Sequence, residues 1–222
     1  TIFDGVDTNV WKPIAEPSRM IGGWQLPADK KIVTYVSRGM EAMRGFDVFM
    51  KIAKQLCDRR DDVLFVVVGE DRVAYGGDER FTEGKTFKHW VLSQDDYDLS
   101  RILFLGRIPP VQLAQLFSIS DLHIYMNVPF VLSWSLVNAL ACGATVMGSD
   151  TAPVREMIQH GENGLLFDFF DFESAVATAE DVLDHPEAYR NLGSTAVERI
   201  RLNYSLDACL PKIMELYTSV VS

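Results

Sequence analysis

Apolar runs of strand length alternate with segments of helical periodicity along most of the chain after residue 30. The strand-like runs read "KIVTYV", "VLFVVVG", "RILFLG", "DLHIYM", "ATVMGS" and "GLLFDF". Runs that are apolar throughout are typical of strands buried on both faces, and their alternation with helices favours a parallel sheet. Right-handed crossovers then predict a doubly wound α/β fold. Because ligands of such folds bind beyond the carboxyl ends of the strands, a functional site is expected in the loops that follow them.

The remaining segments complete the predicted organisation. Prolines and glycines punctuate residues 1–30, which we interpret as an irregular lead-in or linker, and residues 31–222 are predicted to form one domain. Residues 72–98 are polar and poorly periodic, so they are expected to be an excursion from the sheet. Three helices are expected outside the strand–helix series, near 85–92, 187–202 and 205–220. Since the first residue is threonine, we expect the chain to be processed or excised from something longer.

The net charge of the chain is −10, from 21 basic and 31 acidic side chains. Such a surface repels phosphate backbones and anionic lipid, which argues against nucleic-acid binding and against a polybasic membrane binder. An anionic ligand therefore needs a local cluster of cations. Residues 122–149 contain no Asp, Glu, Lys or Arg. Polar residues, glycines and a proline interrupt this stretch, so we predict a buried strand–helix–strand rather than a transmembrane segment.

The cysteines and histidines indicate neither a metal nor a familiar nucleophile. Cys57, Cys142 and Cys209 are odd in number and lie in apolar helical runs, which predicts buried thiols in a reducing, cytoplasmic compartment. His123 lies inside an apolar strand and is interpreted as a core residue. The sequence contains no Walker loop, no GxSxG and no HExxH.

The first strand is followed by "SRGMEAMRGFD", which carries two cations and two glycines. Arg38 is predicted one residue past the strand, and Arg44 at the start of the next helix. Glycines let backbone approach a ligand, and helix N-termini favour anions. Two guanidiniums at this place could clamp a diphosphate through bidentate hydrogen bonds. The alternative interpretation is a pair of solvated surface arginines.

Two further loops place glycines at predicted strand ends. Gly69 ends the second strand, and Gly106 with Arg107 ends the third. Pro110 suits the first turn of a helix. Backbone groups in the loop after the third strand could form hydrogen bonds with the edge of a nucleotide base. In both loops the alternative is a simple turn.

The loop "NVPFVLSWSLVNALACG" leads from the fourth strand into a helix. Ser133 is predicted to cap that helix, whose first turn has no acid and so presents free N–H groups to a ligand. Asn138 lies one and a half turns further, and it faces either a ligand or a neighbouring strand. Glu156, in the following helix, is either a site carboxylate or an exposed helix acid.

Taken in order, these segments resemble the C-terminal domain of a GT-B glycosyltransferase of family 4, the retaining group-1 type. The resemblance rests on "FDGVDTNVWKP", "VSRGMEAMRGFDVF", "FLGRIPPVQLAQLFSISDLHIYMN" and "LVNALACGATVMGSDTAPVREMIQHGENGLLF". Each motif is weak alone, and their order and spacing across nearly the whole chain make the signal strong. The fold that it implies is a Rossmann-like half of GT-B with extra C-terminal helices.

The resemblance implies roles for the residues already singled out. Arg38 and Arg44 would grip the diphosphate of a nucleotide-sugar donor and stabilise the leaving group, so that no metal and no cofactor is needed. Gly39 would give the donor room, and the backbone at Ser133 would face the phosphates. The remaining implied donor-binding residues are Gly69, Gly106, Arg107, Asn138 and Glu156.

Two positions depart from the family pattern. The family's two glutamates, one at the sugar and one at the ribose, are replaced by Phe130 and Asn138. The expected function is the donor half of a retaining hexosyltransferase, inactive alone, whose N-terminal acceptor domain is absent from this chain. The alternatives are a non-catalytic nucleotide-sugar-binding module and a nucleotide-sugar epimerase.

Overall fold

Six parallel strands form the central sheet of the computed structural model, which describes residues 2–221. The strands along the chain are β1 (Met20–Ile21), β2 (Trp24–Gln25), β3 (Lys31–Gly39), β4 (Val63–Glu70), β5 (Ile102–Gly106), β6 (Leu122–Tyr125), β7 (Val146–Ser149) and β8 (Leu165–Phe167). The sheet order is β5-β4-β3-β6-β7-β8. All six predicted strands and the doubly wound α/β fold are therefore confirmed.

Helices cover both faces of this sheet. They are α1 (Phe46–Arg59), α2 (Phe87–Leu92), α3 (Pro110–Ile119), α4 (Trp134–Ala141), α5 (Ala152–Met157), α6 (Phe172–Asp184), α7 (Pro186–Asn203) and α8 (Leu206–Val221). Buried side chains of α1, α2 and α6 pack in one core, those of α3, α4 and α5 pack in the other, and α7 contributes to both. The helices predicted near 85–92, 187–202 and 205–220 are present, with boundaries shifted by one or two residues.

The sequence of β3 shows why the sheet has two covered faces. Val33 and Tyr35 belong to the core beneath α1, whereas Ile32 and Val36 belong to the opposite core. Since side chains alternate across a strand, a run that is apolar at every position must be buried on both sides.

The strand order reverses between β3 and β6. β4 and β5 follow β3 in one direction, and β7 and β8 follow β6 in the other. The two central strands pair in parallel at Val33–Leu122 and Thr34–His123. The loops after β3 and β6 diverge at this switch point and leave a crevice, which is where open α/β sheets bind ligands.

The lead-in is more ordered than the sequence predicts. β1 and β2 form a small antiparallel hairpin, with Met20 opposite Gln25. Val6 is buried, and its N–H donates to the carbonyl of Tyr204 at 2.8 Å. Strands of two residues have no measurable periodicity, which is why the hairpin gives no signal in the sequence.

The uncharged stretch 122–149 is the predicted strand–helix–strand, made of β6, α4 and β7. No helix within the described residues is long and apolar enough to cross a membrane. Cys142 and Cys209 are buried as predicted, but Cys57 at the end of α1 is only partly covered, so the prediction of three buried thiols is wrong for Cys57. Across residues 2–221, no three His, Cys, Asp or Glu side chains are placed to hold a metal ion.

Candidate anion-binding cleft

A cleft of about 640 Å³ opens at the carboxyl ends of the central strands. We call it the anion cleft. It is bounded by the loop after β3, the loop after β5, and the loop that joins β6 to α4. Its polar lining residues are Ser37, Arg38, Arg44, Tyr75, Arg107, Ser133, Ser135 and Asn138. None of the described residues that line it is Asp or Glu, so its charged lining is entirely positive.

Arg44 is the buried cation of the cleft, only 6% exposed. It ends a short 3-10 helix (Ala42–Arg44) that precedes α1, so its predicted place at the start of the next helix is wrong. The following Gly45 has φ 62°, and a Cβ there would lie 2.7 Å from the Cβ of Met126. This left-handed residue turns the chain sharply and lets the loop after β3 lie against the end of β6.

The partners of Arg44 are neutral oxygens. Its Nη1 donates to Oδ1 of Asn127 at 3.2 Å and to the carbonyl of Val131 at 3.4 Å. No carboxylate among the described residues lies within 4.0 Å of its guanidinium. A buried charge is costly unless an opposite charge accompanies it. Arg44 is therefore placed to bind an anion that enters the cleft.

Arg38 is the exposed cation of the cleft. It lies within β3 rather than one residue beyond it, which corrects the predicted position. Its Nη1 donates to the hydroxyl of Tyr75 at 2.7 Å. The Tyr75 ring centre is 5.6 Å from the Cζ of Arg38 and 5.6 Å from that of Arg44. The structure thus brings the two predicted arginines together, around an aromatic ring that the sequence analysis missed.

The space beside Gly39 is already taken. A Cβ on this residue would lie 2.4 Å from the carbonyl oxygen of Arg72, so only glycine lets the loop after β4 pack here. The resemblance implies that a ligand uses this room. Gly39 instead brings residues 72–75, and with them Tyr75, to the edge of the cleft.

The N-terminus of α4 faces the cleft, as predicted. Ser133 is its N-cap, and the Ser133 Oγ accepts from the N–H of Ser135 at 3.3 Å. The N–H of Ser133 donates to the hydroxyl of Tyr125 at 2.9 Å. Because the first turn carries no acidic side chain, the positive end of the helix dipole is uncompensated on this side.

Asn138 lines the same cleft from the second turn of α4. The side chain is 7% exposed, and its Oδ1 is buried with no hydrogen-bond partner among the described residues. The alternative, in which the Asn138 amide forms hydrogen bonds with a neighbouring strand, is therefore wrong for Oδ1. A buried acceptor without a donor is costly, and a ligand hydroxyl would relieve that cost.

The other predicted residues lie at the margin of the cleft or outside it. Arg107 lines the cleft with a side chain that is 80% exposed, 3.8 Å from Glu70. Gly69 lines a smaller adjoining cavity of about 200 Å³, and a Cβ there would meet the carbonyl of Ser37 at 2.4 Å. Gly106, with φ 64°, makes the turn after β5 and lines neither cavity.

Glu156 lies in a second cavity, which we call the apolar groove. The groove measures about 470 Å³ and lies on the other side of the loop 130–134. Apart from that loop, it is lined by Phe3, Asp4, Gly5, Val6, Val137, Pro153, Glu156, Met157 and Tyr204. Glu156 is exposed at its edge and does not join the arginines.

The model of the family "Glycosyl transferases group 1" matches residues 19–199 of the chain. A curated relative, N-acetyl-alpha-D-glucosaminyl L-malate synthase of Bacillus anthracis, is 25% identical over 221 residues, which are all of this chain and 54% of that protein. The chain spans about half the length of the curated relatives it matches.

Two solved structures share the fold. Alr3699/HepE from Anabaena in complex with UDP-glucose has a TM-score of 0.82 at 19% identity, over 98% of this chain and 57% of that chain. The C-terminal domain of a glycosyl transferase group 1 family protein (LpcC) from Francisella tularensis has a TM-score of 0.73 at 18% identity, over 91% and 100%. The parallel sheet and its helices match the Rossmann-like half of a GT-B fold.

Proposed function

The chain belongs to the glycosyl transferases group 1 family, and from that premise we propose that it is the donor-binding half of a glycosyltransferase. The anion cleft binds the diphosphate of a nucleotide-sugar. The acceptor is held mainly by an N-terminal domain, which accounts for the half of each curated relative that this chain does not span. This chain alone binds donor and does not transfer sugar.

The observation that carries the proposal is the buried, unpaired charge of Arg44. A diphosphate brings two or more negative charges, and it satisfies Arg44 and Arg38 together with charge-assisted hydrogen bonds. The N-terminus of α4, whose first turn carries no acidic side chain, adds the positive end of its dipole on the same side. These cations need no rearrangement of the sheet, because β3 and the turn at Gly45 already hold them at the switch point.

Asn138 orients the nucleoside part of the donor. Its unpartnered Oδ1 accepts from a ribose hydroxyl, and its NH₂ group can donate in return. An amide serves here where the family pattern has a carboxylate. The ribose contact is therefore neutral, and the charge that holds the donor is concentrated on its diphosphate.

The chemistry follows from where charge develops. When the bond between the sugar's anomeric carbon and the diphosphate oxygen breaks, the departing diphosphate gains negative charge. Fixed cations and the positive end of the α4 dipole stabilise that charge in the transition state, and in this proposal they do so without a metal ion. Retention of configuration at the anomeric carbon is proposed from the order of the family motifs. The three free thiols support a cytoplasmic setting.

A second candidate function is a nucleotide-sugar-binding module without catalysis. The supporting observation is that no Asp or Glu lines the anion cleft, and that Phe130 occupies the register of the family's sugar-contacting glutamate. A donor could then bind through its diphosphate with no carboxylate at the sugar. The epimerase alternative is weaker, since no Asp, Glu or His among the described lining residues offers an acid/base pair.

The test is calorimetric titration and thermal shift of the chain with uridine, guanosine and adenosine, with their diphosphates UDP, GDP and ADP, and with UDP-glucose. At 100 times its dissociation constant a ligand raises the free energy of unfolding by about 2.7 kcal/mol, which is easily measured. We expect at least one nucleoside diphosphate to bind much more tightly than its nucleoside. Equal affinity for UDP and uridine, and likewise for the other bases, would contradict the proposal.

Activity separates the two candidate functions. Coexpression with the N-terminal half, followed by a donor-consumption assay with that half's acceptor, should give sugar transfer. Tight donor binding without any transfer would favour the non-catalytic module.

A further inference from the structure

The loop after β4, residues 71–78, is fixed to the loop after β3 by two carboxylates. We propose that Tyr75 of this loop is a ligand-binding residue of the anion cleft, and that Glu41 is the positioning residue that holds it there. The inference rests on the proposed function in one respect, namely that the cleft binds a diphosphate.

Glu41 is fully buried although it is a carboxylic acid. Its Oε2 accepts from three consecutive backbone N–H groups, those of Ala74 at 3.1 Å, Tyr75 at 2.9 Å and Gly76 at 2.8 Å. The other oxygen, Oε1, has no partner among the described residues. A buried carboxylate that binds only backbone N–H groups of one loop fixes the path of that loop more firmly than apolar packing would.

Asp78 makes the reciprocal contact. Its Oδ2 accepts from the N–H of Ala42 at 2.9 Å, in the short helix that carries Arg44. A Cβ on Gly76 would lie only 3.3 Å from the Oε2 of Glu41, so the loop has its smallest residue at the tightest place. The two loops are therefore joined by two neighbouring contacts, at Glu41 and at Ala42, and the backbone of Tyr75 is held directly by the first of them.

The fixed backbone aims the Tyr75 side chain at both cations. Its hydroxyl accepts from Arg38, and this is the one hydrogen bond of the Arg38 side chain within residues 2–221. Its ring lies beside both guanidiniums and 5.9 Å from the ring of Phe130. Because two like charges repel, an aromatic ring that attracts both keeps them close to each other before a ligand arrives.

A tyrosine hydroxyl that accepts from Arg38 still has its own proton to donate. A phosphate oxygen bound between Arg38 and Arg44 is the acceptor within its reach. Tyr75 therefore does two things, because it holds the exposed arginine in place and adds a neutral donor to the anion site. In the opposite role, Tyr75 would occupy the site of the anion and block it. Tyr75→Ala would then strengthen anion binding instead of weakening it.

Titration of inorganic pyrophosphate into purified variants tests the inference. Tyr75→Phe should weaken binding about three- to tenfold, the usual effect of one lost hydrogen bond, and Tyr75→Ala should weaken it further. Glu41→Ala should approach the effect of Tyr75→Ala. The matched control is Glu79→Ala, which removes an exposed acid a few residues further along and should change binding less than twofold.

A double-mutant cycle distinguishes positioning from general stability. If Glu41 acts through Tyr75, then Glu41→Ala should change the affinity less than twofold in the Tyr75→Ala background. Because Glu41→Ala removes a buried acceptor of three hydrogen bonds and is expected to lower the yield of folded protein, Glu41→Gln is measured in parallel. It keeps the size of the side chain, and it should speed hydrogen exchange at the amides of residues 74–76.

The outcomes are separable from those of the proposed function. If the parent chain binds no pyrophosphate and no nucleoside diphosphate, the proposed function itself is overturned. If the parent chain binds but Tyr75→Ala binds equally or more tightly, only the role of Tyr75 is overturned. Full additivity of the two substitutions would overturn the positioning role of Glu41.

Discussion

The anion cleft and the apolar groove lie on opposite sides of one short loop, residues 130–134, and have opposite charge. The cleft is lined by three arginines and by no acid among the described residues. The groove is lined by Asp4 and Glu156 and by no basic residue among them. The chain carries a net charge of −10, yet the cleft lining is positive because the nearby carboxylates of Glu41 and Glu70 lie outside it.

This separation shows that nearness in sequence does not assign a residue to a site. Glu156 belongs to the same motif segment as Asn138, and both follow from the resemblance as donor-binding residues. The structure places Asn138 in the cleft and Glu156 in the groove. Substitutions at four positions test whether the difference between the two cavities determines what binds.

The largest effect is expected from Arg44→Met. Methionine keeps an apolar stem of similar length and removes the buried charge, so UDP affinity should fall by about thirtyfold or more. The melting temperature without ligand should hold or rise, because an unpaired buried cation is removed. A large loss of stability with unchanged affinity would show that Arg44 supports the loops instead of the ligand. Arg44→Lys should recover only part of the affinity, since an ammonium cannot make the bidentate contact.

Arg38→Ala should come next, with UDP and pyrophosphate bound about tenfold more weakly. Arg38 is exposed and has no burial to lose, so the melting temperature should not change. The affinity of the parent chain should also fall more steeply with salt than that of the variant, as one cation fewer contacts the diphosphate. The same salt dependence in both proteins would remove Arg38 from the anion site. Affinity measured at two salt concentrations supplies the comparison.

Asn138→Leu should have a smaller and more selective effect. It removes the acceptor proposed for the ribose hydroxyl, so UDP binding should weaken by about 1 kcal/mol, or roughly fivefold. Pyrophosphate, which has no ribose, is the internal control and should bind unchanged. If both ligands weaken equally, Asn138 acts on the structure of α4 rather than on the nucleoside. Parallel titrations of the two ligands decide between these roles.

Glu156→Gln should have almost no effect on UDP, less than twofold, because its carboxylate lies across the loop from the cations. This is the comparison's most direct test, since the substitution removes only a charge. If UDP affinity rose tenfold, the negative charge of Glu156 would be weakening UDP binding across the loop. A decrease of that size would restore the donor-binding role that the sequence analysis gave this residue.

The centre of the sheet was predictable because its strands satisfy one strong physical rule. A run such as "VLFVVVG" is buried on both faces, and burial at every position is visible in the sequence. The predicted places of Arg38 and Arg44 were each wrong by about two residues, since β3 runs on to Gly39 and α1 begins only at Phe46. The order of the strands was not predicted, since pairing between distant segments leaves no local pattern.

The residues that the sequence analysis missed have no local signature. Tyr75 is an aromatic residue in a polar, poorly periodic loop, and Glu41 resembles any acid in a strand-end turn. Their roles appear only when the loops after β3 and β4 pack together. Likewise, the unpartnered oxygen of Asn138 follows from what surrounds α4, not from the helix itself.

The pairing of β3 with β6 also bears on how the protein acquires its site. Thr34 and His123 touch across this pair and lie 89 positions apart in the chain. β3, β4 and β5 pair in chain order, whereas β6 must return past both to reach β3. Closing so long a segment costs more entropy than joining neighbours, and such non-local pairing slows folding. In a refolding experiment, nucleotide binding should therefore return with the final closure of the sheet, later than most of the helical signal, so that affinity itself reports completion of the fold.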